Sequence, residues 1–141
     1  MEESFAALME SSAAVKDIPG EDPVDRLKRG MWAYANFGLR NQDHYRFAFL
    51  LQHPDSARSP KAKPAFEGLR SRIKNCIDAG RFQPKDADLT AQSLWAAVHG
   101  VTSLLILKPA FPWVARRKLI ARVIDSAVEA LVASRKQSES Q

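Results

Sequence analysis

The sequence contains few of the features that mark enzymes, metal proteins or secreted proteins. Cys76 is the only cysteine among 141 residues, so no disulfide forms within one chain, and we expect a reducing, cytoplasmic setting. The three histidines, His44, His53 and His99, have no metal-ligand spacing, and no phosphate-binding Gly-rich loop or nucleophile elbow occurs. We therefore expect neither an enzyme nor a metal or cofactor site.

Long apolar runs and a secretion signal are also missing. No uninterrupted apolar run approaches the roughly 20 residues of a membrane span. The first residues, MEESFAALMESS, are acidic and lack the basic region of a signal peptide. With 45% apolar and 26% charged residues, the composition is that of a soluble globular protein. We expect a single domain over residues 1–141 that does not contact a membrane.

The net charge of +5 is distributed unevenly. Seven acidic residues and one basic residue precede position 26, and two later stretches hold much of the basic excess: Arg58, Lys61, Lys63, Arg70, Arg72 and Lys74, then Arg116, Arg117, Lys118 and Arg122. Such surfaces attract polyanions. No aromatic residues alternate with them as in a nucleic-acid stacking platform. A solvated helix face is the favoured interpretation, and a ligand-free interaction module that binds an acidic partner is an alternative.

Hydrophobic spacing predicts helices along the whole chain. Sustained period-two alternation and hairpin dipeptides are absent, which argues against strands. Asp22 and Asp86 are good N-caps, Pro23 suits a first helical position, and Gly80 suits a helix end. The sequence predicts an all-α bundle of about six helices: residues 2–15, a second from Pro23, a third from Asn41 through Leu51, a fourth from Pro64 to Gly80, a fifth over 87–107, and a last over 115–134 before a polar tail at 135–141.

The fifth predicted helix is apolar on nearly every side. It carries an aliphatic stripe (Leu94, Val98, Val101, Leu105), a stripe of small residues, and a third stripe of Trp95, His99, Thr102 and Ile106. A helix of this kind must be buried all round, which six helices in one chain achieve with difficulty. The sequence predicts a dimer through the last two helices, formed by Ala96, Gly100, Ser103, Leu107, Ile120, Val123, Ile124, Ala127 and Leu131. Complete coverage within one monomer is the alternative.

Aromatic and polar side chains predict a small-molecule cavity beside the same helix. His99 would be a polar anchor among apolar groups, with Trp95 as a wall one turn earlier. The predicted lining residues are Met31, Tyr34, Tyr45, Phe49, Phe66, Ile73, Trp95, His99 and Thr102. The ligand would be apolar or aromatic with one or two polar groups. In the alternatives, His99 is a packed core residue, or it is the axial ligand of a globin-like haem protein.

The hexapeptide WAAVHG, W-x-x-x-H-G in a long helix, occurs with a polar loop after the third helix and a G-R-F-x-P-x-D-A turn at residues 80–87. In this helix order, it resembles the WHG subgroup of C-terminal regulatory domains in tetracycline-repressor-type transcription regulators, over nearly the whole chain. The resemblance implies a homodimer that binds a small-molecule effector. Residues 1–16 would correspond to the helix that joins this domain to an N-terminal helix-turn-helix. We expect operator DNA to be contacted only through that helix-turn-helix, which is absent from this sequence.

Overall fold

The computed structural model describes residues 7, 10–12, 14–46, 62–83 and 86–133. This part of the chain contains five helices and no strand: α1 (Pro23–Arg40), α2 (Gln42–Tyr45), α3 (Ala62–Asp78), α4 (Ala87–Leu107) and α5 (Arg116–Glu129). Residues 10–12 are also helical and belong to the first predicted helix, most of which lies outside the described residues. The predicted all-α fold is confirmed.

Asp22 starts α1, as the sequence predicts. Its carboxylate accepts a hydrogen bond of 2.8 Å from the backbone N–H of Val24, and Pro23 occupies the first helical position. Arg81, beyond the end of α3, binds the same carboxylate, with Nη2 2.7 Å from Oδ2. This hydrogen-bonded guanidinium lowers the pKa of Asp22. One side chain therefore both caps α1 and ties it to the loop between α3 and α4.

The prediction that Asn41 caps the third helix was wrong. The side-chain amide of Asn41 donates instead to the carbonyl oxygen of Phe37 at 3.0 Å, and its backbone N–H donates to the same oxygen at 2.9 Å. No side-chain hydrogen bond reaches the start of α2. Asn41 therefore closes α1 rather than opening α2. The predicted continuation of this helix through Leu51 lies outside the described residues beyond position 46.

The boundary between α3 and α4 follows the predicted pattern. Gly80 has a φ of +74°, a left-handed conformation that favours glycine, and it follows the last residue of α3 by two positions. Asp86 caps α4 by accepting a 3.0 Å hydrogen bond from Leu89 N–H. On α3, Cys76 is fully buried, and burial raises the pKa of its thiol to about 11. Cys76 is therefore a protonated core side chain at neutral pH.

Helix α5 is shorter than predicted, because the chain after it pairs with the loop at residues 81–83. An antiparallel β-bridge joins Phe82 to Val132. The backbone N–H of Gln83 donates to Leu131 at 2.9 Å, and that of Ala133 donates to Arg81 at 2.8 Å. These bonds replace the helical ones, so α5 ends at Glu129 rather than near residue 134. No glycine or proline marks this end in the sequence.

Helix α4 lies at the centre of the core. It packs against α1, α3 and α5, and the aliphatic stripe predicted for it is buried along its whole length. Helix α5 covers one side with three side chains that are almost completely removed from solvent: Ile120, Ile124 and Val128. The core is therefore arranged around α4, with the other long helices grouped about it.

Helix α4 also meets the length and composition criterion for a membrane span, with 21 residues and a window of mean hydropathy 1.2. The sequence contains no uninterrupted apolar run long enough to span a membrane. The mean hydropathy of α4 nevertheless reaches the criterion, because its few Thr, Ser and Gln residues do not lower that mean enough. It is one helix of this kind among the described residues. Its packing against three other helices of the same chain is that of a core helix, which has the same composition.

Replacing Asp22 separates its two roles. We expect Asp22→Ala to lower the free energy of unfolding by about 1–2 kcal/mol, because the helix cap is lost. Asp22→Asn keeps a capping oxygen and loses only the charge, so its loss is smaller. Because the folded pKa of Asp22 lies below 3.8, the charged interaction stabilises the fold above that value and is lost as pH falls through the lowered pKa. Urea unfolding at neutral and strongly acidic pH measures both effects, and equal losses in the two variants would contradict the cap.

Candidate functional site

Tyr34, Trp95 and His99 form a hydrogen-bonded cluster between α1 and α4. The indole Nε1 of Trp95 donates to the Tyr34 hydroxyl at 3.1 Å, and this hydroxyl lies 3.3 Å from His99 Nδ1. An indole N–H only donates, so the Tyr34 oxygen is the acceptor there, whereas the direction of the bond between Tyr34 and His99 depends on the tautomer of the imidazole. The arrangement is a hydrogen-bonded relay that joins Trp95, through Tyr34, to His99.

The cluster is aromatic as well as polar. The rings of Trp95 and His99 are 5.9 Å apart, one helical turn from each other on α4. Phe66 of α3 meets Trp95 edge to face, with ring centroids 6.0 Å apart and an interplanar angle of 66°. Tyr34 is only 2% exposed, whereas the other three side chains are half-buried. Three helices thus bring one buried hydroxyl and three partly accessible rings together.

Burial lowers the pKa of His99. The neutral form of His99 is therefore favoured, in which one ring nitrogen donates and the other accepts a hydrogen bond.

A small apolar cavity lies beside the cluster. Its volume is about 10 Å³, which is room for one water molecule at most. The walls come from α1, α3 and α4, with one residue from the segment that precedes α1: Ser12, Met31, Tyr34, Leu69, Leu94, Trp95 and Val98. In this state the described residues beside Tyr34 and Trp95 are packed closed.

The structure brings together five of the nine predicted lining residues. Met31, Tyr34 and Trp95 line the cavity, and Phe66 and His99 contact its aromatic wall. Ile73 and Thr102 are instead fully buried core side chains, and the Thr102 hydroxyl donates to the carbonyl of Val98 on its own helix at 2.7 Å. The Tyr45 side chain and Phe49 lie outside the described residues.

Four lining residues were missed from the sequence. Leu69, Leu94 and Val98 belong to stripes that predict core positions, and nothing in a single stripe distinguishes a cavity wall from a packed core. Ser12 gave no signal, because its place depends on how the segment before α1 lies against that helix.

The residues predicted for a dimer interface fall into two groups. Ala96 and Leu107 are exposed, and five others are half-buried: Gly100, Ser103, Val123, Ala127 and Leu131. A Cβ atom built on Gly100 would meet no other atom within 4 Å. Ile120 and Ile124, by contrast, fill the core of their own chain and have no surface left to offer a partner. These two predicted interface residues are therefore core residues of their own chain.

An open groove of about 370 Å³ lies after α4 and was not predicted. Its lining includes Leu105, Trp113 and Arg116, together with Gln42 and the residues of the turn: Pro109, Phe111, Pro112 and Val114. Phe111 is 58% exposed and Val114 65% exposed. The turn keeps its shape through a 2.8 Å hydrogen bond from Trp113 Nε1 to the carbonyl of Lys108.

Comparison with known proteins identifies the class of domain. Residues 27–132 match the family described as "Tetracyclin repressor-like, C-terminal domain". This match covers most of the chain, so the protein belongs to that family, and the resemblance noted from the sequence is confirmed at this level. Domains of this family generally serve regulators in ligand binding and dimerisation.

A solved structure shares the fold. It is described as the structure of a protein with unknown function from Rhodococcus sp. RHA1, and the match has a TM-score of 0.70 and 17% sequence identity. The alignment covers 94% of this chain and 69% of the other, and at this identity it shows the fold alone. No curated protein shows significant sequence similarity.

The burial of His99 predicts a pH-dependent stability. The unfolded state binds a proton near the ordinary value of 6.5, and the folded state binds it only at lower pH. Stability is therefore complete above pH 6.5 and falls as pH drops through 6.5 towards the lowered folded pKa. We expect His99→Gln to weaken this dependence, as measured by thermal unfolding from neutral to mildly acidic pH. An unchanged slope in the variant would assign the pH dependence to other groups.

Proposed function

We propose that this chain is the effector-sensing and dimerisation domain of a cytoplasmic, tetracycline-repressor-type transcription regulator of the WHG subgroup. The observation that carries this proposal is the relay from Trp95 through Tyr34 to His99, set among apolar side chains. Ligand pockets commonly combine an apolar wall with a few placed polar groups. The effector is a small apolar or aromatic molecule with one or two polar groups.

The relay defines the polar group that the effector needs. Nδ1 of His99 lies 3.3 Å from the Tyr34 hydroxyl, and a neutral imidazole has one donor and one acceptor nitrogen. A small uncharged group that both donates and accepts hydrogen bonds, such as a hydroxyl, therefore suits this cluster. An uncharged group suits the site, because burial disfavours a charged histidine.

Effector binding requires a second arrangement of the site. A cavity of about 10 Å³ does not admit a drug-sized molecule, so the closed packing is the ligand-free state. The effector shifts the equilibrium between closed and open states only by its difference in affinity for them. Ser12 lines this cavity, and residues 1–16 are those expected to join the domain to a helix-turn-helix. A change in the cavity would thereby reach the DNA-binding part and alter operator binding.

The proposed homodimer uses the face of α4 that the described residues of its own chain leave uncovered, together with the neighbouring side of α5. Exposed apolar residues continue this face beyond Gly100, from Leu104 and Leu107 to Phe111 and Val114. The open space at Gly100 permits a close approach of a partner helix. A two-fold axis would place the same surface of both protomers together.

Gly100→Leu tests this dimer. We expect the variant to be monomeric at micromolar concentration, because the new side chain projects into the proposed helix contact. The fold should survive, since a Cβ at this position meets no atom of its own chain within 4 Å. Native mass spectra across a dilution series give the oligomeric state, with Lys74→Leu as a control that adds the same side chain at an exposed position of α3 and should remain dimeric. A Gly100→Leu dimer as stable as the wild type would place the interface elsewhere.

Native mass spectrometry also tests the effector proposal. We expect purified wild-type dimer to retain a small extra mass, and His99→Ala to lose most of it while remaining dimeric, because the polar anchor is gone. Thr102→Val is the matched control on the same helix, since the Thr102 hydroxyl is bonded to its own backbone and should not contribute. If His99→Ala retains the ligand and only unfolds at lower temperature, His99 is a core residue and the anchor role is wrong.

A further inference from the structure

The segment before α1 lies along one stripe of that helix. Arg26, Gly30 and Tyr34 are spaced four residues apart and so share a face of α1. Arg26 contacts residues 15 and 17, Gly30 contacts Ser12, and Tyr34 lines a cavity with Ser12. Residues 15 and 17 lie against Arg26 and Ser12 lies against Gly30, so the described part of the segment runs antiparallel to α1. Ser12 lies at the cavity beside the aromatic cluster.

Arginines hold one end of this segment. Arg26 donates through Nη2 to the carbonyl of Val15 at 2.6 Å and through Nε to Asp17 Oδ1 at 2.9 Å. Arg72 of α3 donates to the same Asp17 oxygen at 3.2 Å. Arg29 adds a 2.8 Å hydrogen bond to the carbonyl of Lys16. Two helices thus grip residues 15–17 through three guanidinium groups.

The grip has an electrostatic reason. Arg26 is only 5% exposed, and a buried cation needs a nearby anion and satisfied hydrogen bonds. The carboxylate of Asp17 supplies the nearby anion and one of the hydrogen bonds to Arg26, although the Asp17 side chain is itself 74% exposed. The attachment at residues 15–17 is therefore a charged contact at the surface of the protein.

Gly30 provides the seat for the other end. A Cβ atom at this position would lie 3.0 Å from Ser12 Oγ and 3.1 Å from the Ser12 carbonyl oxygen. Both distances are shorter than a Cβ atom normally keeps, so the segment must shift by a few tenths of an ångström to accept even a methyl group. Ser12 also lines the cavity, together with Met31, Leu69 and Val98.

We infer that residues 10–17 form a releasable strap, held by Arg26 and Arg72 and seated on Gly30, and that its release opens the cavity beneath Ser12 to small uncharged aromatic molecules. The inference uses the cavity of the proposed function, but the position of the strap can be measured without any effector. Closure of the strap accounts for the small volume of the cavity in this state.

Gly30→Ala and Arg72→Gln test the strap at its two attachments. Their controls are Asn36→Ala, at an exposed position of α1, and Arg70→Gln, which removes an arginine of α3 that pairs with Asp88 instead. Hydrogen–deuterium exchange of residues 10–17 reports release, and exchange of α4 reports whether the whole domain loosens. Fluorescence of N-phenyl-naphthylamine, a neutral aromatic probe, reports entry into the cavity.

We expect Gly30→Ala to raise exchange of residues 10–17 about tenfold, the change that overpacking of this size produces, with α4 unchanged and probe binding tightened. Arg72→Gln should act in the same direction, and both controls should match the wild type. Unchanged exchange of residues 10–17 in both test variants would overturn the strap. Raised exchange without tighter probe binding would overturn its role as the cover of the cavity.

The experiments distinguish a failure of the proposed function from a failure of the strap. If no effector is retained by the dimer but the strap variants behave as expected, the strap stands and the sensor function falls. If an effector is retained and lost with His99→Ala while the strap variants exchange like the wild type, the sensor stands and the strap is wrong.

Discussion

Covering α4 is the constraint on which the rest of the structure depends. Most sides of this helix are apolar, so α1, α3 and α5 are grouped around it, while a face with Leu89, Ala96, Leu104 and Leu107 stays exposed among the described residues. Each other feature is then located by the side of α4 on which it falls. The aromatic cluster lies where α1 and α3 meet the stripe of Trp95 and His99, and the stripe of small residues lies where no helix of the described chain covers it.

In the closed state the polar atoms of the cluster form hydrogen bonds with one another. Buried hydrogen-bonding groups are costly when unpaired, and the Tyr34 hydroxyl serves Trp95 and His99 at once. A molecule that enters must therefore leave this relay intact or replace its bonds. Affinity in such a site is reduced by the fraction of protein in the open state, so selectivity arises from both shape and polar matching.

Features set by local chemistry could be predicted from the sequence, and features set by distant contacts could not. Asp22, Gly80 and Asp86 were recognised because capping depends on a few neighbouring residues. The role of Asn41 and the early end of α5 depend on hydrogen bonds that only the folded chain reveals.

The same limit applies to the candidate site. Helical spacing placed Thr102 on the face of Trp95, but seven residues separate them, or about 10 Å along the axis, which takes Thr102 beyond the cluster. Helical periodicity therefore predicts on which face of a helix a residue lies, but it does not predict which residues at different heights along the axis reach the same site. It also gave no reason to expect a buried arginine at position 26, because the partner of Arg26 lies on a segment whose path the pattern does not describe.

Helix α5, which closes the core over α4, follows it in the chain and is tied by the bridge at Val132 to the loop before α4. This order has a consequence for biosynthesis. Residues 108–133 must be added after α4 is complete, which takes roughly one to five seconds at the ~5–20 residues per second of translation. Until then the side of α4 that meets Ile120, Ile124 and Val128 has no partner, so the core over α4 cannot close before the last helix has been synthesised.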